Sequence, residues 1–249
     1  MMETKLEVKE YEPSKISKPT LVVGVPEAGL VGIIASSYLR DQMKLPELGY
    51  IESDLLPAVV VVHESKPKHP IRIFGKDNLA VVTSEVPLHP RLSLDLAKEV
   101  VSWAKSKNTK LILGITSVPF DEEIEGEAER KPKVLAISSD ERPAEALKQM
   151  GANPFEEGVM MGTHAAILRN CITMHQPNLT LLAEAYSKFP DPGAAAAVIQ
   201  VVNKVLSTSV DIQNLIKQSE EIRLRMRELM ATTQENMRRN VATGPSLYG

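Results

Sequence analysis

Apolar residues along most of this chain fall into short β-branched runs that alternate with stretches of helical spacing. Residues 20–25 form a compact apolar run ending in a glycine-rich turn, which predicts a buried strand. From 28 to 43 the positions Leu30, Ile33, Ile34, Ser37 and Tyr38 share one helical face. Residues 59–63 read as a second buried strand. Residues 71–74 and 79–84 flank a Gly-Lys-Asp-Asn turn at 75–78 and predict a hairpin. An amphipathic helix over 92–107 carries Trp103, the single tryptophan, and leads into a strand over 110–116. A strand follows at 134–138, then a short helix over 141–150 closed by Gly151. Strands at 158–161 and 179–184 bracket a helix over 163–173. An alanine-rich helix then runs from Pro192 to about position 206, with proline in its first turn.

Strands alternating with helices predict an α/β fold with one sheet covered by helices, and the hairpin makes that sheet mixed. The domain is expected over 20–208, behind an extended lead-in at 1–19. The segment 119–132 has no apolar period and carries Asp121, Glu122, Glu123, Glu125, Glu127 and Glu129, so it reads as a solvated loop. The pattern changes beyond Asp211, a plausible N-cap. Ile212, Leu215, Ser219, Ile222, Met226, Leu229 and Thr233 follow a 3-4-3-4 spacing, the seam of a coiled coil. A helix over 211–240 would extend ~45 Å at 1.5 Å per residue. Ile212, Leu215, Ile222, Met226 and Leu229 are its oligomerisation candidates; the alternative is a helix packed on its own domain. Residues 241–249 contain Gly244-Pro245-Ser246 and read as a flexible tether ending in Leu247-Tyr248-Gly249.

Composition narrows the function. A net charge of -3 and only 4% aromatic residues give no footprint for nucleic acid. No apolar run approaches the ~20 residues of a membrane span, and the charged start (Glu3, Lys5, Glu7, Lys9, Glu10) has no apolar signal region. A cytoplasmic protein is expected. Cys171 is the single cysteine and is expected to be a buried structural thiol.

Three features bear on chemistry. Gly24, Gly29 and Gly32 in GVPEAGLVG sit at a strand-to-helix turn, where backbone N–H groups can meet a phosphate. The spacing fits neither the dinucleotide fingerprint nor a Walker loop, and Glu27 would repel an anion. A tight turn with close helix–sheet packing explains the same glycines. The histidines (His63, His69, His89, His164, His175) lack metal-ligand spacing, so no metal or cofactor is expected. His63 beside Glu64, and His89 between two prolines, are the nearest approach to acid–base groups, without a nucleophile motif; no catalytic residue is assigned. The carboxyl end is more specific. Leu247 can fill an apolar slot, the Tyr248 ring can pack on a wall, and the Gly249 carboxylate can pair with a lysine. A hydrophobic–Tyr–X ending arises by chance about 1% of the time in a chain of this composition, so the ending needs its context to carry weight.

That context is a resemblance. The strand with GVPEAGLVG and the Ala-Ser-Ser-Tyr-Leu helix, the segment GVMMGTHAAIL, and FPDPGAAAA together resemble the proteasome assembly chaperone 2 family in its archaeal branch. The resemblance implies a nucleoside-phosphorylase-like α/β domain without catalytic residues. It also implies a chaperone or ATP-independent activator whose hydrophobic–Tyr–X tail (the HbYX motif: Leu247, Tyr248, Gly249) enters pockets in the α-ring of the proteasome core particle. A homo-oligomer, or one formed with a paralogue, would present several tails at once. The competing expectation is a small-molecule or nucleotide-binding enzyme that uses the Gly24–Gly32 turn.

Overall fold

The computed structural model describes residues 6–12, 16–120, 131–217 and the single positions 221, 228 and 231. Most of the acidic segment, the helix positions Ile222, Met226 and Leu229, and the tail with Leu247, Tyr248 and Gly249 lie outside the described residues.

The strands are β1 (Leu6–Glu10), β2 (Thr20–Gly24), β3 (Glu47–Ser53), β4 (Val61–His63), β5 (Lys66–Lys68), β6 (Ile71–Lys76), β7 (Leu79–Ser84), β8 (Leu111–Pro119), β9 (Val134–Ser138), β10 (Asn153–Pro154) and β11 (Asn178–Ala185). The helices are α1 (Val31–Gln42), α2 (Pro90–Ser106), α3 (Ala144–Met150), α4 (Thr163–Met174), α5 (Pro192–Leu206) and α6 (Gln213–Lys217). Nine strands form one mixed sheet in the order β1-β3-β6-β7-β2-β8-β11-β9-β10. Its centre, β7-β2-β8-β11, is parallel, and antiparallel pairing takes over at β6–β7 and at β11–β9.

The central strands are apolar on both faces because both faces are covered. Val22 faces a core built with Ile34, Leu39, Leu113, Leu181 and Ile199, under α1 and α5. Leu21 and Val23 face the opposite core with Leu96, Val100, Ile112 and Ile167, under α2 and α4. Full burial of each such Leu or Ile contributes about 1.5–3 kcal/mol of transfer free energy. Cys171 is fully buried in the second core, as expected of a structural thiol.

Local chemistry sets the ends of the elements. Pro90 and Pro192 open α2 and α5. Asp191 caps α5 by accepting from the Ala194 N–H at 2.9 Å, and Gly151 closes α3 in the left-handed region. The β6–β7 hairpin turns through Asp77 and Asn78, with Asp77 at φ +54°.

The structure departs from the sequence expectations at several places. The lead-in contains β1, which closes one edge of the sheet, so the folded unit begins ahead of position 20. β3 pairs with β1 and β6 although no apolar run announced it: only Gly49, Ile51 and Ser53 within it are buried. The second predicted strand is a ribbon strand instead; among the described residues β4 pairs only with β5, and Val60 and Val62 are exposed. Residues 158–161 are not a strand; they form an exposed loop ahead of α4. The helix after Asp211 starts on its own domain. Leu215, predicted for a seam, is fully buried in the α1–α5 core, Ile212 packs beside it, and the Tyr38 hydroxyl donates to the Asp211 carbonyl at 2.7 Å. At this end of the helix the apolar spacing serves the chain's own core. Among the described residues no helix is long and apolar enough to cross a membrane.

Candidate functional site

In open α/β sheets the loops beyond the carboxyl ends of the parallel strands form the usual site. Here those loops are 25–30 after β2, 85–89 after β7, 120 onward after β8, and 186–191 after β11. Their centre is Glu27. Its Oε2 accepts from the Thr116 hydroxyl at 2.5 Å and faces His164 Nδ1 at 2.6 Å; its Oε1 accepts from the Thr163 N–H at 2.8 Å. A carboxylate from the β2–α1 loop therefore caps α4, favourable for the exposed donors and positive dipole end of that helix.

His164 is fully buried, with Nε2 3.1 Å from the Val23 carbonyl. Both ring nitrogens face groups that only accept, a carboxylate and a backbone carbonyl, so the ring must donate twice and is an imidazolium. Burial alone would lower its pKa; the Glu27 charge and hydrogen bond, with the Val23 carbonyl, raise it above the usual value. Burial likewise pushes Glu27 up, and the His164 charge together with the Thr116 and Thr163 bonds overrides this and lowers it.

Glycines make this centre sterically possible. A Cβ on Gly114 would meet the His164 ring at 2.9 Å, and one on Gly162, at φ +95°, would collide with the Glu27 carboxylate. The predicted ligand glycines are occupied by protein in the same way. A Cβ on Gly24 would strike the Gly32 carbonyl and Ser36. One on Gly32 would lie 2.5 Å from the Ile115 carbonyl. One on Gly29, at φ +64°, would lie 2.8 Å from both Ala185 Cβ and the Tyr186 carbonyl. The Ser117 hydroxyl to the Ala28 carbonyl (2.5 Å) and the Asp191 N–H to the Gly29 carbonyl (2.8 Å) hold the rest of the turn. The centre thus joins β2, β8, α4 and α5, and its polar atoms bond to protein.

The other histidines have separate roles. His89 caps α2, with Nδ1 accepting from the Arg91 N–H at 3.2 Å. His69 stacks on Tyr50, centroids 3.5 Å apart. His175 ends α4 in the left-handed region. His63 meets Glu85 at 2.7 Å in a second charged cluster, where buried Arg72 pairs with Glu85 and Glu47, and Glu47 also accepts from Lys68 and the Tyr11 hydroxyl. Burial and the Glu47 bond raise the Tyr11 phenol to about 12. Sequence reasoning missed both clusters because the partners are far apart in the chain. The one signal for the first was Glu27 inside a glycine-rich turn.

The loop leading to α4, beside the Glu27 centre, is exposed. Val159 and Met161, in the loop leading to α4, are 88% and 84% exposed. Glu156 and Glu157 of the same loop are exposed as well, so it mixes charged and apolar side chains.

Comparison with known proteins agrees with this architecture. An uncharacterized protein of Methanocaldococcus jannaschii is 29% identical over 224 residues, covering 89% of this chain and 90% of its own. The crystal structure of Pyrococcus furiosus PbaA, an archaeal homologue of proteasome-assembly chaperone, superposes with a TM-score of 0.82 at 26% identity, over 94% of this chain and 99% of that one. P. furiosus PbaB, an archaeal proteasome activator, shares the fold with a TM-score of 0.74 at 22% identity, over 92% and 99% of the two chains. A family model described as the PAC2 family matches residues 21–230, which spans both cores and the Glu27–His164 clasp. The chain belongs to the PAC2 family.

Proposed function

We propose that this protein is a proteasome-binding assembly chaperone or ATP-independent activator, which seats Leu247, Tyr248 and Gly249 in α-ring pockets of the core particle. The observation that carries the reading is the whole-domain likeness to PbaA, a homologue of proteasome-assembly chaperone, in a chain that ends in a hydrophobic–Tyr–X sequence. The clasp suits such a role: its polar groups are bonded to one another and to the backbone, tying the loops after β2 and before α4 together. Binding energy alone would then bias the ring toward one conformation. The test is a pull-down and peptidase assay with the matching core particle, comparing wild type, a deletion of residues 247–249, and Tyr248→Ala. Both variants are expected to lose binding and any stimulation. Equal behaviour of all three would overturn tail docking.

A further inference from the structure

We propose that a cavity between the start of β9, the end of α3 and the second half of α5 binds a medium-length alkanoate, its chain on the core and its carboxylate at Lys204 and Gln200. The cavity measures about 360 Å³, toward the lower end of the range for small-molecule sites. It opens onto the first core, on the opposite side of the sheet from α4. Val134 and Val201 are buried members of that core, and Met150 and Ala197 are half-buried against it. Two residues keep the space open. Ala197 contributes only a methyl group. Gly151, which closes α3 at φ +89°, contributes none, and a Cβ there would stand 3.4 Å from Lys204 Nζ and 3.8 Å from Val201 Cγ2. With Gly151, Gln200 and Lys204 all exposed, this side is the mouth.

The polar lining decides what the cavity fits. The Asn203 amide is engaged within the chain: Nδ2 donates to the Val210 carbonyl, and Oδ1 accepts from the Thr208 hydroxyl and the Val210 N–H, each at 2.9 Å. Lys204 Nζ donates to the Gln149 carbonyl at 3.4 Å, which leaves two of the three ammonium donors for a ligand. The Gln200 amide adds further N–H donors beside it. The described residues that line the cavity include no acidic side chain and no arginine fork. One cation with a neighbouring amide, above an apolar floor, suits a single negative charge carrying an apolar chain. A carboxylate would take charge-assisted hydrogen bonds from Lys204, and each methylene laid on Val134, Met150 and Val201 would leave water.

This site is independent of the tail, and its test needs no proteasome. Isothermal titration calorimetry compares butanoate, hexanoate and octanoate on the full-length chain. Saturable one-to-one binding is expected, with the dissociation constant falling roughly fourfold for each methylene buried. Octanamide has the same chain without the charge and should bind roughly tenfold more weakly than octanoate. Lys204→Met, at an exposed position, should weaken octanoate by a similar factor and leave octanamide unmoved. Ala197→Leu fills the cavity and should abolish binding of both, with the Tm of the ligand-free variant showing that the fold is kept. Absence of saturable binding, equal affinity for octanamide and octanoate, or octanoate binding unmoved by Lys204→Met would each overturn the proposal. So would a folded Ala197→Leu protein that binds octanoate as the wild type does.

Discussion

Replacing Glu27 with glutamine should destabilise the fold far more at pH 5 than at pH 8. In the wild type His164 titrates above its ordinary 6.5, so its contribution is complete below pH 6.5 and is lost as pH rises through the raised value. Glu27 titrates below its ordinary 4.5, so its contribution is complete above pH 4.5 and is lost as pH falls through the lowered value. The pair contributes fully between the two. In Glu27→Gln the amide oxygen can still accept from the Thr163 N–H, but its –NH2 now faces His164 Nδ1. The imidazole must become neutral, with its proton on Nε2 toward the Val23 carbonyl.

Two costs follow. Exchanging charge-assisted hydrogen bonds for neutral ones costs about 1 kcal/mol at any pH. Keeping a buried imidazole neutral at pH 5, where the unfolded chain protonates it near 6.5, costs a further ~2 kcal/mol at 1.36 kcal/mol per pH unit. The variant should therefore lose about 3 kcal/mol at pH 5 and about 1 kcal/mol at pH 8. For a chain of this size the acidic loss corresponds to a fall in Tm of roughly 6–12 °C. Urea unfolding followed by the fluorescence of Trp103 measures it, and titrations common to both proteins cancel in the difference. A loss of equal size at both pH values, or one larger at pH 8, would refute the imidazolium assignment.

Three further outcomes are expected. Gly29→Ala should cost about 1–3 kcal/mol, because φ is +64° and the added methyl meets Ala185 and Tyr186 at 2.8 Å; denaturant midpoints with unchanged m-values would show it. Leu215→Ala should cost about 2–5 kcal/mol as a core cavity, and the loss should not depend on protein concentration, whereas a purely inter-chain seam role would make it do so. Cys171 should resist iodoacetamide at pH 8 until the protein unfolds, since burial raises its thiol to about 12; mass spectrometry of the native and urea-treated chain distinguishes the two.

Elements whose signals are local were legible in the sequence. The β2–α1 unit, the β6–β7 hairpin, and the proline-initiated helices α2 and α5 all carry period, cap or turn chemistry within a few residues of themselves. The mixed α/β class followed from their alternation. β1 and β3 carried no such signal. They lie at the edge of the sheet, where Glu7, Lys9, Tyr50 and Glu52 stay partly solvated and burial asks for few apolar positions. The loop at 158–161 misled in the opposite direction, since Val159 and Met161 are apolar yet exposed.

The sequence by itself determined the turn at Gly24–Gly32, because only glycine leaves room for the approach of α1 to β2 and β8. It also determined the apolar spacing that starts at Ile212. Tertiary structure alone decided what that spacing packs against, since the same period suits a seam or a core, and Leu215 entered its own core. It alone created the clasp: Glu27 and His164 are 137 positions apart, and Glu27 in its glycine-rich turn gave no sign of which residue it would meet. Their meeting depends on α4 beginning beside the β2 loop, with Gly114 and Gly162 leaving space for the ring and the carboxylate. Period and turn chemistry act over a few residues and are written in order along the chain. Charge pairing acts through space, and folding decides which residues it joins.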